Sequence, residues 1–352
     1  MGRFSDIKGN ETAVNALRGM ADSGRVPHAV LFYENPSSGG LALANAWIQY
    51  LNCEHPQGGD SCGQCPSCRQ MASLVHPDVH YVFPVNAGEV IKSDHPVSDM
   101  GIQAFRTLYK ENPFFTEQDL YEALGVESKS GNISVYEAKE IMGKLAFTPV
   151  TGGYKAIIIF LPERMNVQAA NKLLKVLEEP PQKTVFVMVT QNPEDVLSTI
   201  FSRCQALRVL PFDRSQLVVR TPSDDIVDMW NELFSALIDR DLLRSLEASD
   251  AIASVKSREK QKSFCIFASE QVRKMFLCQQ GVEDLAYFAD ELQCSPSVAL
   301  SGKLVRKAAA CCNPKFCVKA VSNLDNAAML LGRNVSAKMV FTDLVNRMFV
   351  SI

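Results

Sequence analysis

The chain has 352 residues, of which 47% are hydrophobic and 21% charged, and its formal net charge is −3. This composition is typical of a globular protein of two or three domains, and the negative charge argues against a chain that binds nucleic acid strongly by itself. No apolar run reaches the roughly 18 residues of a membrane span, and the N-terminus lacks the apolar core of a signal peptide. We therefore expect a cytoplasmic protein with no membrane partner.

The first 210 residues alternate between strand-like and helix-like segments. The strand-like segments are apolar runs at 29–33, 78–85, 154–161 and 183–190. The helix-like segments have apolar residues three and four apart, at 40–53, 134–147 and 167–181. Apolar strands that alternate with helices indicate an α/β domain, built on a parallel sheet with helices on both faces.

Two other regions depart from this alternation. Residues 86–133 contain four glycines and one helical segment at 99–112, and we interpret them as a polar insertion on the α/β domain. Residues 223–352 show helical spacing and little strand character, which predicts a separate all-helical domain. Only the short segment 211–222 lies between the two domains.

Within the first domain, Ser134 and Glu137 have the spacing of a capping box at the start of a helix.

The stretch HAVLFYENPSSGGLALANAW (28–47) has the strand–turn–helix layout of a phosphate-binding loop. Such a loop needs a lysine to bind phosphate and a hydroxyl to bind magnesium. At the start of the helix the chain has Ser38, Gly39, Gly40 and Leu41 instead, and no lysine or arginine lies between Glu34 and Gln49. A degenerate loop, or a turn that binds nothing, is therefore favoured over a working nucleotide site.

Four of the eleven cysteines lie close together, at Cys53, Cys62, Cys65 and Cys68. Two overlapping C-x2-C turns bring thiolates near enough to share one ion, and four thiolates form the usual closed structural zinc site. Free buried cysteines, disulfides and an iron–sulfur cluster are the alternatives. In a reducing compartment a disulfide framework is disfavoured.

Two further positions bear on nucleotide chemistry. An ATPase of this layout carries acidic residues at the end of its third strand, where they hold magnesium. This chain has Phe160 and Leu161 there, and we interpret the following Glu163 as a solvated residue. Arg203 lies in a polar turn between a helix that ends near Phe201 and the next strand, and a guanidinium in such a turn can serve a phosphate on another subunit.

Taken in order, these pieces resemble the bacterial DNA polymerase III clamp loader, and most closely its delta-prime type of subunit. The resemblance lies in HAVLF, the cysteine module, HPD at 76–78, AANKLLKVLEEPP at 169–181, and FSRC (201–204) followed by LPF at 210–212. It covers the chain from about residue 1 to residue 212. The helical part matches only by its general character.

The resemblance implies an AAA+ module over 1–210 with a zinc module at 53–68, a short or truncated lid at 211–222, and a helical collar at 223–352. Collars join gamma/tau, delta and delta-prime subunits into a five-membered ring that loads the sliding clamp onto primed DNA. Delta-prime does not hydrolyse ATP itself, so ATP would be bound by neighbouring subunits rather than by this chain. By matching position, Arg203 would be the arginine finger that acts in trans, and the four cysteines would bind a structural zinc ion.

Two other functions are weighed against this one. A gamma/tau-type, ATP-hydrolysing clamp-loader subunit is the alternative, but the missing lysine and the missing acidic pair speak against it. A zinc-ribbon protein that reads nucleic acid by itself is disfavoured by the negative charge. Whether the chain is itself an enzyme is open, and we expect no ATPase activity of its own, only a place in the DNA polymerase III holoenzyme.

Overall fold

The computed structural model of the chain describes residues 2–7, 9–126, 131–210, 224–282, 296–333 and 335–352. The chain divides into two compact units, Met1–Val218 and Val219–Ile352. The predicted lid at 211–222 lies outside the described residues, as do residues 127–130 of the predicted insertion.

The first unit is built on a five-stranded parallel sheet with strand order β2-β3-β4-β1-β5. The strands are β1 (Ala29–Tyr33), β2 (Val79–Val82), β3 (Lys155–Phe160), β4 (Thr184–Thr190) and β5 (Gln205–Arg208). The helices are α1 (Glu11–Asp22), α2 (Gly40–Leu51), α3 (Pro66–Ala72), α4 (Ser98–Glu111), α5 (Glu117–Ala123), α6 (Val135–Leu145), α7 (Val167–Glu178) and α8 (Ser198–Phe201). The predicted parallel sheet with flanking helices is confirmed, and it is consistent with an AAA+ module.

Both faces of this sheet are buried. Alternate residues of β1 point to opposite faces, so that Val30 and Phe32 join one apolar cluster and Leu31 joins another. The first cluster contains side chains of α1, α2, α4 and α5, and the second contains those of α6, α7 and α8. Burial on both faces explains why the strands read as continuous apolar runs rather than as alternating patterns.

The described part of the insertion is more apolar than we predicted. It contributes two helices, α4 and α5, where the sequence indicated one. Phe105 stacks on Phe83 with ring centroids 4.4 Å apart, and Phe115 meets Phe160 edge-on at 5.2 Å. The predicted polar character of this insertion is therefore wrong, because its apolar side chains extend the core on the α2 face of the sheet. That the region is an insertion stays a prediction.

The predicted capping box at the start of α6 is also wrong. Ser134 does cap the helix, since its hydroxyl accepts from the N–H of Tyr136. Glu137, however, is buried and accepts from the N–H of Ser98 at 2.6 Å and from its hydroxyl at 3.0 Å. The carboxyl group of Glu137 thus accepts hydrogen bonds from the first turn of α4 rather than from the N-terminus of its own helix. This long-range contact fastens the insertion to α6.

The described part of the second unit is helical. Its helices are α9 (Asp224–Ile238), α10 (Leu242–Ser254), α11 (Arg258–Gln279), α12 (Pro296–Cys311), α13 (Pro314–Gly332) and α14 (Ala337–Ser351). They share one apolar core, in which Trp230 stacks on Phe234 with ring centroids 4.4 Å apart. No helix among the described residues is both long and apolar enough to cross a membrane.

Candidate functional site

The carboxyl ends of β1, β3 and β4 meet at one edge of the sheet. Tyr33 at the end of β1 is paired with Thr190 of β4, and Phe160 at the end of β3 is paired with Val189. The N–H of Glu34 continues the ladder by donating to the carbonyl of Thr190 at 3.0 Å. Parallel α/β sheets bind their ligands at this edge, so the loop that follows β1 lies where a nucleotide would be expected.

This loop returns a side chain of its own to the start of α2. The N–H of Gly40, the first residue of α2, donates to Oε2 of Glu34 over 2.5 Å. Gly39 precedes it in the left-handed region with φ of 90°, a conformation that favours glycine. The N-terminus of a helix is the position at which phosphate-binding loops hold phosphate. Here a carboxyl group of the same chain occupies that position.

The surroundings of Glu34 are nearly dry. The residue is 8% exposed. The pKa of Glu34 is raised to about 8. Burial is the largest cause, and the nearby Glu163 carboxyl adds to the rise, while the hydrogen bond from the Gly40 N–H opposes it. A buried acid with this pKa is mostly protonated at neutral pH. The loop therefore carries little negative charge of its own, and no cation of this chain is needed to balance it.

Glu163 follows β3 in a short 3-10 helix, Pro162–Arg164. Its Oε1 accepts from the N–H of Gln191 at 3.0 Å and from that of Asn192 at 3.2 Å. Burial raises the pKa of Glu163, with the backbone N–H groups working against that rise. The interpretation of this residue as solvated is therefore wrong, because its carboxyl group joins the end of β3 to the turn after β4.

The four predicted zinc ligands form one cluster. The Sγ atoms of Cys53, Cys62, Cys65 and Cys68 all lie within 4.8 Å of one another, and all four cysteines are free. The N–H groups of Gln64 and Cys65 point at Sγ of Cys62 and lower the pKa of this thiol to about 6. Burial raises the pKa of Cys53 and of Cys68. The metal site is therefore indicated by the four converging sulfur atoms, which have the chemistry of a closed tetrahedral site.

The loop between the first two cysteines also holds the N-terminal segment. The Asp60 carboxylate accepts from the N–H groups of Phe4 at 3.1 Å, Ser5 at 2.9 Å and Ser61 at 2.7 Å. Burial would raise the pKa of Asp60, but the N–H donors outweigh it and the pKa is lowered. Arg18 of α1 donates to the carbonyl of Gly59 at 2.6 Å. The cysteine module is thus joined to both the N-terminus and α1.

Arg203 lies in the turn between α8 and β5, as predicted. Its Nε donates to Oε1 of Glu178 at 2.7 Å, Nη2 donates to the same oxygen, and Nη1 donates to the carbonyl of Thr199 at 2.8 Å. The side chain of Arg203 is 32% exposed and that of Glu178 is 50% exposed. The guanidinium is therefore held at the surface by its own chain while part of it stays accessible.

Comparison with known proteins agrees with the resemblance found in the sequence. The family model described as "DNA polymerase III, delta subunit" matches residues 9–213, which is more than half of the chain. The chain belongs to this family. The delta-prime subunit of DNA polymerase III from Escherichia coli is 30% identical over 215 residues, which are 61% of this chain and 52% of that protein. The predicted resemblance to delta-prime subunits is confirmed.

Other members of this group of proteins match as well. The delta-prime subunit from Pseudomonas aeruginosa is 29% identical over 177 residues, 50% of this chain and 41% of that protein. The tau subunit from Bacillus subtilis is 26% identical over 203 residues, 58% of this chain and 28% of that protein. The chain spans about half the length of the curated delta-prime relatives it matches.

Sequence reasoning missed two carboxyl groups of this family member. In the sequence, Glu34 only marks one end of the segment without lysine or arginine, although an acid directly before a Gly-rich turn can reach the start of the next helix. Glu178 was not singled out. A weak signal was present, because a carboxylate in the last turn of a helix opposes the helix dipole and is stabilised by a nearby cation.

Proposed function

We propose that this chain is a non-hydrolytic subunit of the DNA polymerase III clamp loader, which helps ATP-driven loading of the sliding clamp onto primed DNA. Its partners are gamma/tau and delta subunits in a five-membered ring, and Arg203 acts in trans on ATP bound by a neighbouring subunit. The contact between Glu34 and the Gly40 N–H carries the proposal. It gives the phosphate position at the start of α2 to an internal carboxyl group.

The residues at the other nucleotide-related positions also support a subunit that acts on a neighbour's ATP without binding ATP itself. Gly40 and Leu41 stand where a working loop has lysine and a hydroxyl, and β3 ends without an acidic pair. A guanidinium beside the transferred phosphoryl group needs neither ATP nor magnesium on its own chain, because it stabilises charge that develops on a neighbour's nucleotide. ATP would therefore be bound next to this chain and not by it.

The test is ATP hydrolysis by the complex rebuilt from gamma/tau, delta and this chain. Arg203→Ala should lower the rate by about 10³-fold if the arginine supplies the finger, while the complex still elutes as one assembly. Arg208→Ala is the matched control, since Arg208 is a second solvent-accessible arginine and lies five residues further on. An Arg203→Ala complex with the normal rate would show that the arginine has another role.

We further propose that Cys53, Cys62, Cys65 and Cys68 bind one structural zinc ion. Zinc held by four thiolates keeps no open position for water, so it would brace the module rather than catalyse. Metal analysis of the full chain should give about one zinc per chain, and Cys62→Ser should release the metal and lower the melting temperature. Iron in place of zinc, or a metal-free folded chain, would contradict the assignment.

A gamma/tau-type ATPase is the second candidate, because a tau subunit is among the relatives. The loop residues and the Glu34 contact disfavour it. Purified chain should show no ATP turnover above a buffer blank. Robust turnover that co-elutes with monodisperse protein would favour this second candidate instead.

A further inference from the structure

Glu178 is in an unfavourable place for helix stability. It is the last residue of α7, where the exposed carbonyl groups give the helix end partial negative charge. A carboxylate at that end is repelled, and Pro180 and Pro181 prevent the helix from continuing. Lys175 supplies one cation within the same last turn. Arg203, 25 residues further along the chain, supplies a second through its contact with Glu178.

The geometry of this contact leaves two donors of the guanidinium unused. An arginine side chain carries five N–H groups, one on Nε and two on each Nη. One N–H each of Nε and Nη2 goes to Oε1 of Glu178, and one N–H of Nη1 goes to the carbonyl of Thr199. One N–H on Nη1 and one on Nη2 have no acceptor among the residues that the structure describes. Those two N–H groups match the paired donors with which arginine binds phosphate.

We propose that Glu178 is a positioning residue. It fixes the guanidinium by its Nε side and leaves the remaining Nη donors for a phosphate group on a nucleotide held by a neighbouring subunit. The proposal rests on the proposed function of Arg203. Because both side chains are partly exposed, the ion pair adds little to folding stability. Its contribution is to restrict a long, flexible side chain to one orientation before the phosphate is met.

The first experiment examines the contact in the isolated full chain. The arginine Nε–H signals are recorded by NMR, and the Arg203 signal is assigned by its absence from Arg203→Ala. We expect this signal to be shifted and protected from solvent exchange, to keep part of that shift in Glu178→Gln, and to move to the position of a free arginine in Glu178→Ala. Glu179→Ala is the matched control and should leave it unchanged. A signal that is the same in Glu178→Ala and in the unmodified chain would overturn the contact.

The second experiment measures ATP hydrolysis by the rebuilt complex at varied ATP concentration. A misplaced catalytic group costs on the order of 10–100-fold, so Glu178→Ala should lower kcat by about 10-fold or more. KM should stay unchanged, because the nucleotide is bound by the neighbour. Glu178→Gln should recover most of kcat, since its amide oxygen accepts from the same donors. Glu178→Ala should add nothing in an Arg203→Ala background.

The outcomes separate this inference from the function on which it rests. A low rate for Arg203→Ala with a normal rate for Glu178→Ala would overturn the positioning role and leave the arginine finger standing. Normal rates for both variants would overturn the arginine finger, and the positioning role with it. A rise in KM or a loss of assembly for Glu178→Ala, with kcat unchanged, would also count against positioning.

Discussion

The turn after β1 and the turn before β5 hold their charged side chains in opposite ways. In the first, Glu34 is buried and is bonded to the backbone of its own loop. In the second, Arg203 is partly exposed and is paired with a carboxylate at the surface. A buried polar group that loses its partner costs the full desolvation free energy, whereas an exposed ion pair contributes little to stability and leaves its unused donors open to solvent. The charged side chain of the first turn is thus bonded within its own loop, whereas that of the second turn is accessible to another molecule.

The largest effect we expect is on the pH dependence of stability. The pKa of Glu34 is raised from its ordinary value of 4.5 to about 8 on folding. A raised pKa stabilises the fold fully below about pH 4.5, and that contribution falls by about 1.36 kcal/mol per pH unit until about pH 8. Thermal unfolding of the full chain, compared with Glu34→Gln, should show the unmodified chain losing a few kcal/mol relative to the variant across this window.

Glu34→Gln is a suitable reference because the amide oxygen still accepts from Gly40 but does not titrate. Buried acids that are not coupled to Glu34, such as Glu137, change both proteins equally and cancel in the difference. Stability curves that stay parallel from pH 5 to pH 9 would mean that the Glu34 carboxyl is not buried as described, and the contrast between the two turns would be lost.

A smaller effect is expected from crowding the loop. A Cβ atom added at Gly40 would lie 2.8 Å from Oε2 of Glu34 and 3.0 Å from Cγ1 of Val189. Gly40→Ala should therefore destabilise the first unit by about 1–3 kcal/mol. Gly143→Ala on α6 is the control, because an added Cβ there has no atom within 4 Å, and it should be neutral or slightly stabilising. Denaturant unfolding monitored in the first unit gives the stability of both variants. Equal unfolding midpoints for Gly40→Ala and Gly143→Ala would contradict the close contact of Gly40 with Glu34 and Val189.

The smallest effect should come from the surface pair. Glu178→Ala is expected to change the free energy of unfolding by less than about 1 kcal/mol, since exposed ion pairs contribute little. The same denaturation measurement applies, with Glu179→Ala as reference. A loss of unfolding free energy as large as that of Gly40→Ala would mean that Glu178 stabilises the fold. Its contact with Arg203 would then be explained by folding stability, without a positioning role toward a neighbouring subunit.

Much of this molecule could be predicted from local patterns. The strands β1, β3 and β4 lie within one residue of the predicted ranges at each end, because long apolar runs buried on both faces have few alternatives. The convergence of Cys62, Cys65 and Cys68 also follows from spacing, since two C-x2-C turns leave little freedom to these three sulfur atoms. The approach of Cys53 depends on the longer loop before Cys62. Helix α5 was missed because it is only seven residues long, too short for its periodicity to stand out.

The sequence by itself determined the apolar strands, the C-x2-C turns of the cysteine module and the place of Arg203 in a turn, because each depends on residues that are near one another in the chain. Only the tertiary structure decided which partners the carboxyl groups of Glu34, Glu137, Glu163 and Glu178 would take. The sequence predicts that Glu137 caps its own helix, but its carboxyl group accepts from the first turn of α4. It predicts that Glu163 is solvated, but its carboxyl group accepts from the turn after β4. A carboxylate bonds whichever donor the fold brings within about 3 Å, and that choice is made by packing between segments distant in sequence.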